Sequence, residues 1–380
     1  MCIMVYLDYA AGCPVKKEVL DCFYDTSLKY YANPNSSHKL GLEAKNVIDE
    51  ATSDIAKILG VKSDEIIYTS GASESNNLVI KGIASRYRNR GRHILISSLE
   101  HNSIVSSATK LQESGFEVEI IPVLPDGLID IESLKDMIRD DTILVSVCSV
   151  DSEIGIRQPI EKIASIIKEY PNCYFHTDAT QAIGKVMIDY SLADLITITP
   201  HKFYGLSGIG ILIKRNNVSI TAQIDGGKST TIYRSGTPTL ALIVSSAKAL
   251  QLAYDEEKSS YDYILKLNNI IKNGLVKYKR VHINSTANSI NNIINFSVKG
   301  IRAIDLERRL ESYSIYVSTK TSCCPIETPS KLVYALTRDK SLSSSSIRLS
   351  ISSFTTLDDV LEFLRVFDII YKEYDNNGEI

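Results

Sequence analysis

The 380-residue chain has no C-x-x-C pair, no internal repeat and no apolar run near the roughly 20 residues that span a bilayer. Its seven cysteines stand at irregular positions (2, 13, 22, 148, 173, 323 and 324). That spacing gives neither a zinc pattern nor a disulfide framework, and it suits a reducing cytoplasm. Excess charge is missing too. Forty-two basic residues against 45 acidic ones leave a net charge of −3, so nothing electrostatic draws the chain to nucleic acid. The start, Met1-Cys2-Ile3-Met4-Val5, lacks the basic and long apolar regions of a signal peptide. The expectation is a cytoplasmic protein with no nucleic-acid or membrane partner. Apolar residues at 44% and charged residues at 23% are ordinary for a globular protein, and the length suits two domains.

What the chain does have is Lys202 placed 24 residues after Asp178, each in an unusual string. The first string is His176-Thr177-Asp178-Ala179-Thr180-Gln181. The second is Thr199-Pro200-His201-Lys202, then Phe203-Tyr204-Gly205. Each follows an apolar run that reads as a buried strand, Cys173 to Phe175 and Leu195 to Thr199. A pyridoxal phosphate (PLP) site needs this set of side chains at neighbouring strand ends. A lysine forms the Schiff base, and a carboxylate keeps the pyridine nitrogen protonated so that the ring draws electrons. Hydroxyls and backbone N–H groups cradle the phosphate.

Strands alternate with helices along the chain, which predicts an α/β fold with a largely parallel sheet. Strands are expected at 65–69, 93–97, 116–122, 143–150 and 208–213, with helices at 75–87, 131–139, 160–169 and 240–254. Charged and polar residues from Asp255 to Tyr263 suggest a crossing into a second domain. Strands at 290–298 and 347–351 and helices at 305–313 and 357–371 follow there. The serine-rich stretch Ser341 to Ser346 reads as part of a longer loop. Ser70-Gly71-Ala72-Ser73-Glu74 turns from a strand into a helix. There the free N–H groups and the helix dipole make an anion site, with hydroxyls from Ser73 and Ser75.

The chain resembles the cysteine desulfurases of the NifS/IscS type, fold type I PLP-dependent enzymes of the class V aminotransferase group. Matching strings run from end to end: Tyr6 to Ala11, Asn33 to His38, Thr69 to Asn77, Glu100-His101 and Asp141 to Ser146. Glu153-Ile154-Gly155, Arg234 to Thr237, Ser345 to Arg348 and Phe354-Thr355-Thr356 complete the series. The resemblance implies a large domain with a mostly parallel seven-stranded sheet over residues 15–257. It implies a smaller α+β domain from 1–14 and 258–380, with a mobile cysteine loop at about 318–345. Position by position, Lys202 matches the Schiff-base lysine, Asp178 the pyridinium partner and Gln181 the donor to the ring hydroxyl. Ala72, Ser73, Thr199 and His201 match the phosphate cradle. Thr237 matches a residue that reaches the phosphate from a second subunit, which implies a homodimer. His101 matches the ring-stacking, proton-moving histidine. Arg348 matches the clamp on the substrate carboxylate, and Asn33 a residue near the substrate.

The family carries its sulfur-accepting cysteine in a Ser-x-Gly-Ser-Ala-Cys pattern. Here the string is Ser318-Thr319-Lys320-Thr321-Ser322-Cys323-Cys324-Pro325, which assigns the nucleophile to Cys323 with Cys324 as the alternative. Other departures cluster near the substrate. Ser152 replaces an asparagine that contacts the cofactor ring, and Asp151 adds a charge beside it. Gly226-Gly227-Lys228-Ser229-Thr230 and Gly205-Leu206-Ser207-Gly208 differ from the family strings. The reading is a divergent desulfurase that converts L-cysteine to L-alanine and holds the sulfur as a cysteine persulfide. The sulfur then passes to an acceptor protein for iron–sulfur cluster or thio-cofactor synthesis. The alternatives are a PLP enzyme with another substrate, such as selenocysteine, D-cysteine or a cysteine derivative, and a weakly catalytic sulfur-relay partner.

Overall fold

The computed structural model describes residues 4–320 and 328–376. At its centre lies a seven-stranded sheet in the order Ile66–Thr69, Gly210–Lys214, Leu195–Ile198, Tyr174–Asp178, Thr142–Ser146, His93–Ser97, Glu117–Ile121. The strands run parallel except Gly210–Lys214, which is antiparallel to both neighbours. All but Glu117–Ile121 are buried at every position. Helices cover both faces, which is why these strands read as unbroken apolar runs. Successive side chains serve opposite faces: Leu95 joins one core cluster, while Ile94 and Ile96 join another. The exposed edge strand carries Glu117 and Glu119, charges that discourage pairing with another chain.

A separate core gathers Val5, Leu7, Leu267, Ile271, Phe296, Ile347, Phe363 and Phe367. It is built on the antiparallel strands Ser346–Ser350, Ile293–Val298 and Val281–Ile283, with Val5–Tyr6 and Ile315–Tyr316 paired beside them. The α/β class and the mostly parallel seven-stranded sheet are therefore as the sequence led one to expect.

The crossing expected at Asp255 to Tyr263 is made within a single helix, Leu240–Leu275, whose buried apolar residues join one core up to Ala253 and the other from Ile264 on. Its charges lie on exposed or half-buried positions of that helix. There Glu256 pairs with Lys16, and Gln251 donates to Asp255 Oδ1 at 2.8 Å one turn on. One expectation is corrected: Ser341 to Ser346 is not part of a loop. Asp339 accepts from the N–H groups of Ser341 (2.8 Å) and Leu342 (3.2 Å) and caps a short helix, Lys340–Ser344, which leads into the Ser346–Ser350 strand. Ser330 likewise caps a helix at Lys331–Thr337, so the described part of 318–345 is largely helical. Among the described residues no helix is long and apolar enough to cross a membrane.

Candidate active site

Parallel strands deliver their C-terminal ends to one side of a sheet, where successive loops converge. Thr69, Ser97, Ser146, Asp178 and Ile198 end five of the strands. The loops beyond them enclose a cavity of about 380 Å³. Ala72, Ser73, His101, Ser152, Asp178, Gln181, Thr199, His201, Lys202 and Arg348 all line it. Residues as far apart in sequence as Ala10 and Arg348 thus share one hollow, Arg348 entering from the smaller sheet.

Lys202 ends a single helical turn, Pro200–Lys202, and its Nζ donates to the carbonyls of Ala10 (2.8 Å) and Ala11 (2.6 Å). Asp178 is buried. Its Oδ1 accepts from the Thr180 N–H at 3.0 Å, and its Oδ2 from Asn76 Nδ2 at 2.8 Å. The second Asn76 hydrogen goes to Ser103 Oγ at 2.9 Å. Ser103 in turn meets His101 Nδ1 with its hydroxyl (2.8 Å) and its N–H (3.1 Å). A ring nitrogen that accepts a backbone N–H carries no proton, so the His101 proton sits on Nε2. His101 is the N-cap of Asn102–Gln112. Asp178 and His101 are thereby linked through Asn76 and Ser103, a connection that no sequence reading of these residues supplied.

The phosphate-like corner is the start of the Ala72–Tyr87 helix, capped by Gly71 at φ 159°. A Cβ at Gly71 would meet nothing within 4 Å, so there is room for a ligand group beside this backbone. Glu74 in the same turn accepts from the Ser70 N–H at 2.8 Å and pairs with Arg234 at 3.0 Å. Those partners hold its carboxyl below the usual range against the opposing push of burial. Thr199 Oγ1 donates to the Ile209 carbonyl at 2.9 Å, which makes His201 Nδ1, at 3.1 Å, the donor toward it. Burial and the neighbouring Lys202 push the His201 imidazole down to about 4.

Arg348 is 1% exposed. Its Nη2 meets Asp8 Oδ1 at 2.6 Å and its Nη1 donates to the Ser152 carbonyl at 2.8 Å, while Nε is buried without a partner. The turn that offers Ser152 is tied by Asp151. That carboxylate accepts from the N–H groups of Glu153 (2.9 Å), Ile154 (2.8 Å) and Ile156 (2.6 Å). Burial still raises Asp151 to about 6. The charge expected beside the cofactor is thus a brace inside its own turn.

The remaining site expectations fall elsewhere. Asn33 is exposed, and its Oδ1 accepts from the Asn35 N–H at 2.9 Å; it does not line the cavity. Thr237 lines a separate cleft with Ser229, Thr230 and Arg234. Cys323 and Cys324 lie outside the described residues.

The sequence matches the Aminotransferase class-V family over residues 5–363. The chain belongs to that family. Among curated proteins it is 37% identical over 378 residues to the "NifS/IcsS protein homolog" of Lactobacillus delbrueckii subsp. bulgaricus, covering 98% of each chain. It is 36% identical over 374 residues to the "Cysteine desulfurase IscS" of Dictyoglomus turgidum, covering 97% of this chain and 95% of that one. Among solved structures, a "NIFS-LIKE PROTEIN" superposes with a TM-score of 0.91 at 32% identity, over 97% of this chain and 100% of that one.

Within this class-V aminotransferase chain, residues that sequence reasoning had passed over join the site. Asp8, Ala10 and Ala11 sit in the Tyr6 to Ala11 string, and Asn76 in the Thr69 to Asn77 string, so the signal lay in motifs whose individual roles went unread. Glu100 precedes His101. Its Oε1 accepts from Ser97 Oγ (2.8 Å) and from the Cys148 N–H (2.7 Å), and Oε2 has no partner. Burial, with Asp178 adding to it, raises Glu100 to about 8.

Proposed function

We propose that this chain is a PLP-dependent cysteine desulfurase that takes L-cysteine and leaves L-alanine and a cysteine-bound sulfur. The observation that carries the reading is the convergence of Lys202, Asp178 and Arg348 on a single cavity. The residues present fit PLP. The helix start at Ala72 offers free N–H groups, Gly71 leaves room beside them, and Thr180 Oγ1 and Arg348 Nε are buried polar atoms without partners in residues that line the cavity.

In this reading Ala72, Ser73, Thr199 and His201 would hold the phosphate, Gln181 and Ser152 the ring oxygen, and Asp178 the ring nitrogen. When bound, PLP supplies an electron sink next to the substrate α-carbon. Arg348 binds the substrate carboxylate through its guanidinium edge. Lys202 anchors the cofactor and, once released, carries the α-proton. His101 serves the same proton traffic from Nε2, its Nδ1 side being fixed by Ser103. A Cys323 thiolate then attacks the substrate sulfur. A new S–S bond forms as the C–S bond breaks, the electron pair goes to the carbon side, and a proton completes alanine. The proposal extends to a homodimer in which Thr237 reaches the second copy's site, to Asn33 near the substrate, and to a protein acceptor for the sulfur. It also keeps the division into residues 15–257 and 258–380 with 1–14, which the separate cores support.

The test is the visible spectrum of the purified protein with PLP, before and after L-cysteine, with alanine and sulfide assayed in the same sample. A band that changes on addition, with equal alanine and sulfide, is the expected result. Lys202→Ala should abolish the band. Cys323→Ala should keep it and lose the persulfide, and retention of persulfide there with loss in Cys324→Ala would move the nucleophile by one residue. Absence of any band in the unaltered protein sinks the reading.

A further inference from the structure

Lys185 has no part in the mechanism above, yet it stands directly behind it. It lies in the turn that follows Asp178 and Gln181, and it shares a small cleft with Lys202 and Tyr204. Its Nζ donates to Gln181 Oε1 at 2.8 Å. The other end of that amide, Nε2, donates to the Ala10 carbonyl at 2.9 Å, and the same carbonyl accepts from Lys202 Nζ at 2.8 Å. A single chain of contacts therefore runs from Lys185 through Gln181 and Ala10 to Lys202.

Chemistry fixes the direction of this chain. An ammonium can only donate, so the Gln181 atom it meets is the oxygen. A carbonyl can only accept, so the atom facing Ala10 is the NH2. Both ends of the amide are constrained at once, and the two constraints agree on one orientation. Without Lys185 the Ala10 carbonyl alone would hold the amide in this orientation, and the oxygen would be left without its donor. We propose that Lys185 is a positioning residue that fixes Gln181 as a hydrogen-bond donor toward the cofactor cavity and, through the shared Ala10 carbonyl, aligns Lys202.

The surroundings agree with a role for the charge. Burial lowers the Lys185 ammonium to about 8, Lys202 and Arg348 push the same way, and Cys13 opposes them. At neutral pH the side chain is still mainly cationic. A polar cavity of about 330 Å³, lined by Arg157, Glu257 and Ser260 among others, also reaches Lys185.

This inference rests on the proposed cofactor reading, so the experiment separates the two. PLP is titrated into the full-length protein stripped of cofactor, and affinity and the position of the visible band are recorded for Lys185→Met, Lys185→Arg, Gln181→Ala and the double variant Lys185→Met/Gln181→Ala. No band in the unaltered protein defeats the cofactor reading itself. Given a band, Lys185→Met should bind PLP about tenfold more weakly, as expected for losing one charge-assisted hydrogen bond. It should also shift the band, because a ring oxygen that loses its donor changes the chromophore. Lys185→Arg should restore both. The double variant should lose no more than Gln181→Ala alone, since the effect passes through Gln181. Additive losses, or an unmoved band in Lys185→Met, would overturn the proposal. Should Lys185→Met fail to fold, Lys185→Gln takes its place in the cycle with the same readings.

Discussion

Ser330 Oγ donates to Glu153 Oε2 at 2.6 Å and accepts from the Val333 N–H at 3.1 Å, so one hydroxyl caps a helix and ties it to the turn beside Arg348. Glu153 is buried, directly after the Ser152 carbonyl that Arg348 grips. Ser330 closely follows the stretch that carries Cys323 and Cys324. The Arg348 side of the cavity and the segment beyond the cysteines are therefore braced against each other.

Removing that brace should separate cofactor binding from sulfur transfer. Ser330→Ala loses both a helix cap and a buried hydrogen bond, a cost of ~1–2 kcal/mol in stability. The PLP band and its response to L-cysteine should persist while the rate of sulfide release falls. Stopped-flow spectra beside a sulfide assay would check this, and an unchanged sulfide rate would count against the brace.

Glu100 should make stability depend on pH. Its folded value of about 8 lies above the ordinary 4.5, so the folded chain keeps a proton that the unfolded chain releases. Stability from this group is present at low pH and is lost as pH rises from about 4.5 through about 8, by at most ~1.4 kcal/mol for each tenfold fall in proton concentration. Glu100→Gln cannot ionise and keeps an oxygen for Ser97 and the Cys148 N–H. Urea melts at pH 5 and pH 8.5 should show the unaltered protein falling relative to Glu100→Gln at the higher pH. Parallel curves would mean that Glu100 is not the group.

In the proposed reading Arg348 combines two duties, holding the substrate carboxylate and pairing with Asp8. Arg348→Lys keeps the charge and loses the planar fork, so KM for L-cysteine should rise ~30–100-fold with a smaller change in kcat. Arg348→Leu should in addition lose ~1–3 kcal/mol of stability, because Asp8, only partly exposed, and the Ser152 carbonyl lose their donor. Steady-state kinetics and thermal melts distinguish the two effects.

Asn76 carries the link from Asp178 to Ser103, and so to His101. Asn76→Ala leaves a buried Asp178 oxygen without its donor, a cost of ~1–3 kcal/mol. Cofactor affinity should drop, and the pH profile of kcat should change, since both Asp178 and His101 lose support. Asn76→Asp should be worse than Asn76→Ala, because it sets a second carboxylate against Asp178. If Asn76→Asp retains full cofactor binding, the contact is not what holds Asp178.

The sequence alone determined the α/β class, the parallel sheet and ten of the residues that line the cavity. Long apolar runs and short polar strings are local signals, and buried strands with loops at their C-terminal ends write both plainly. It misread Ser341 to Ser346 as loop, and it did not show that the crossing at Asp255 to Tyr263 is made within one helix. Composition does not reveal whether a charged stretch is the solvated face of a long helix, or whether a cap such as Asp339 converts serines into a turn of helix. Tertiary structure decided what those strings could not state. It made Asp151 the brace of its own turn, joined Asp178 to His101 through Asn76 and Ser103, and placed Lys185 behind Gln181. Each is a hydrogen bond with a direction, and direction exists only once the folded chain has brought a particular donor within reach of a particular acceptor.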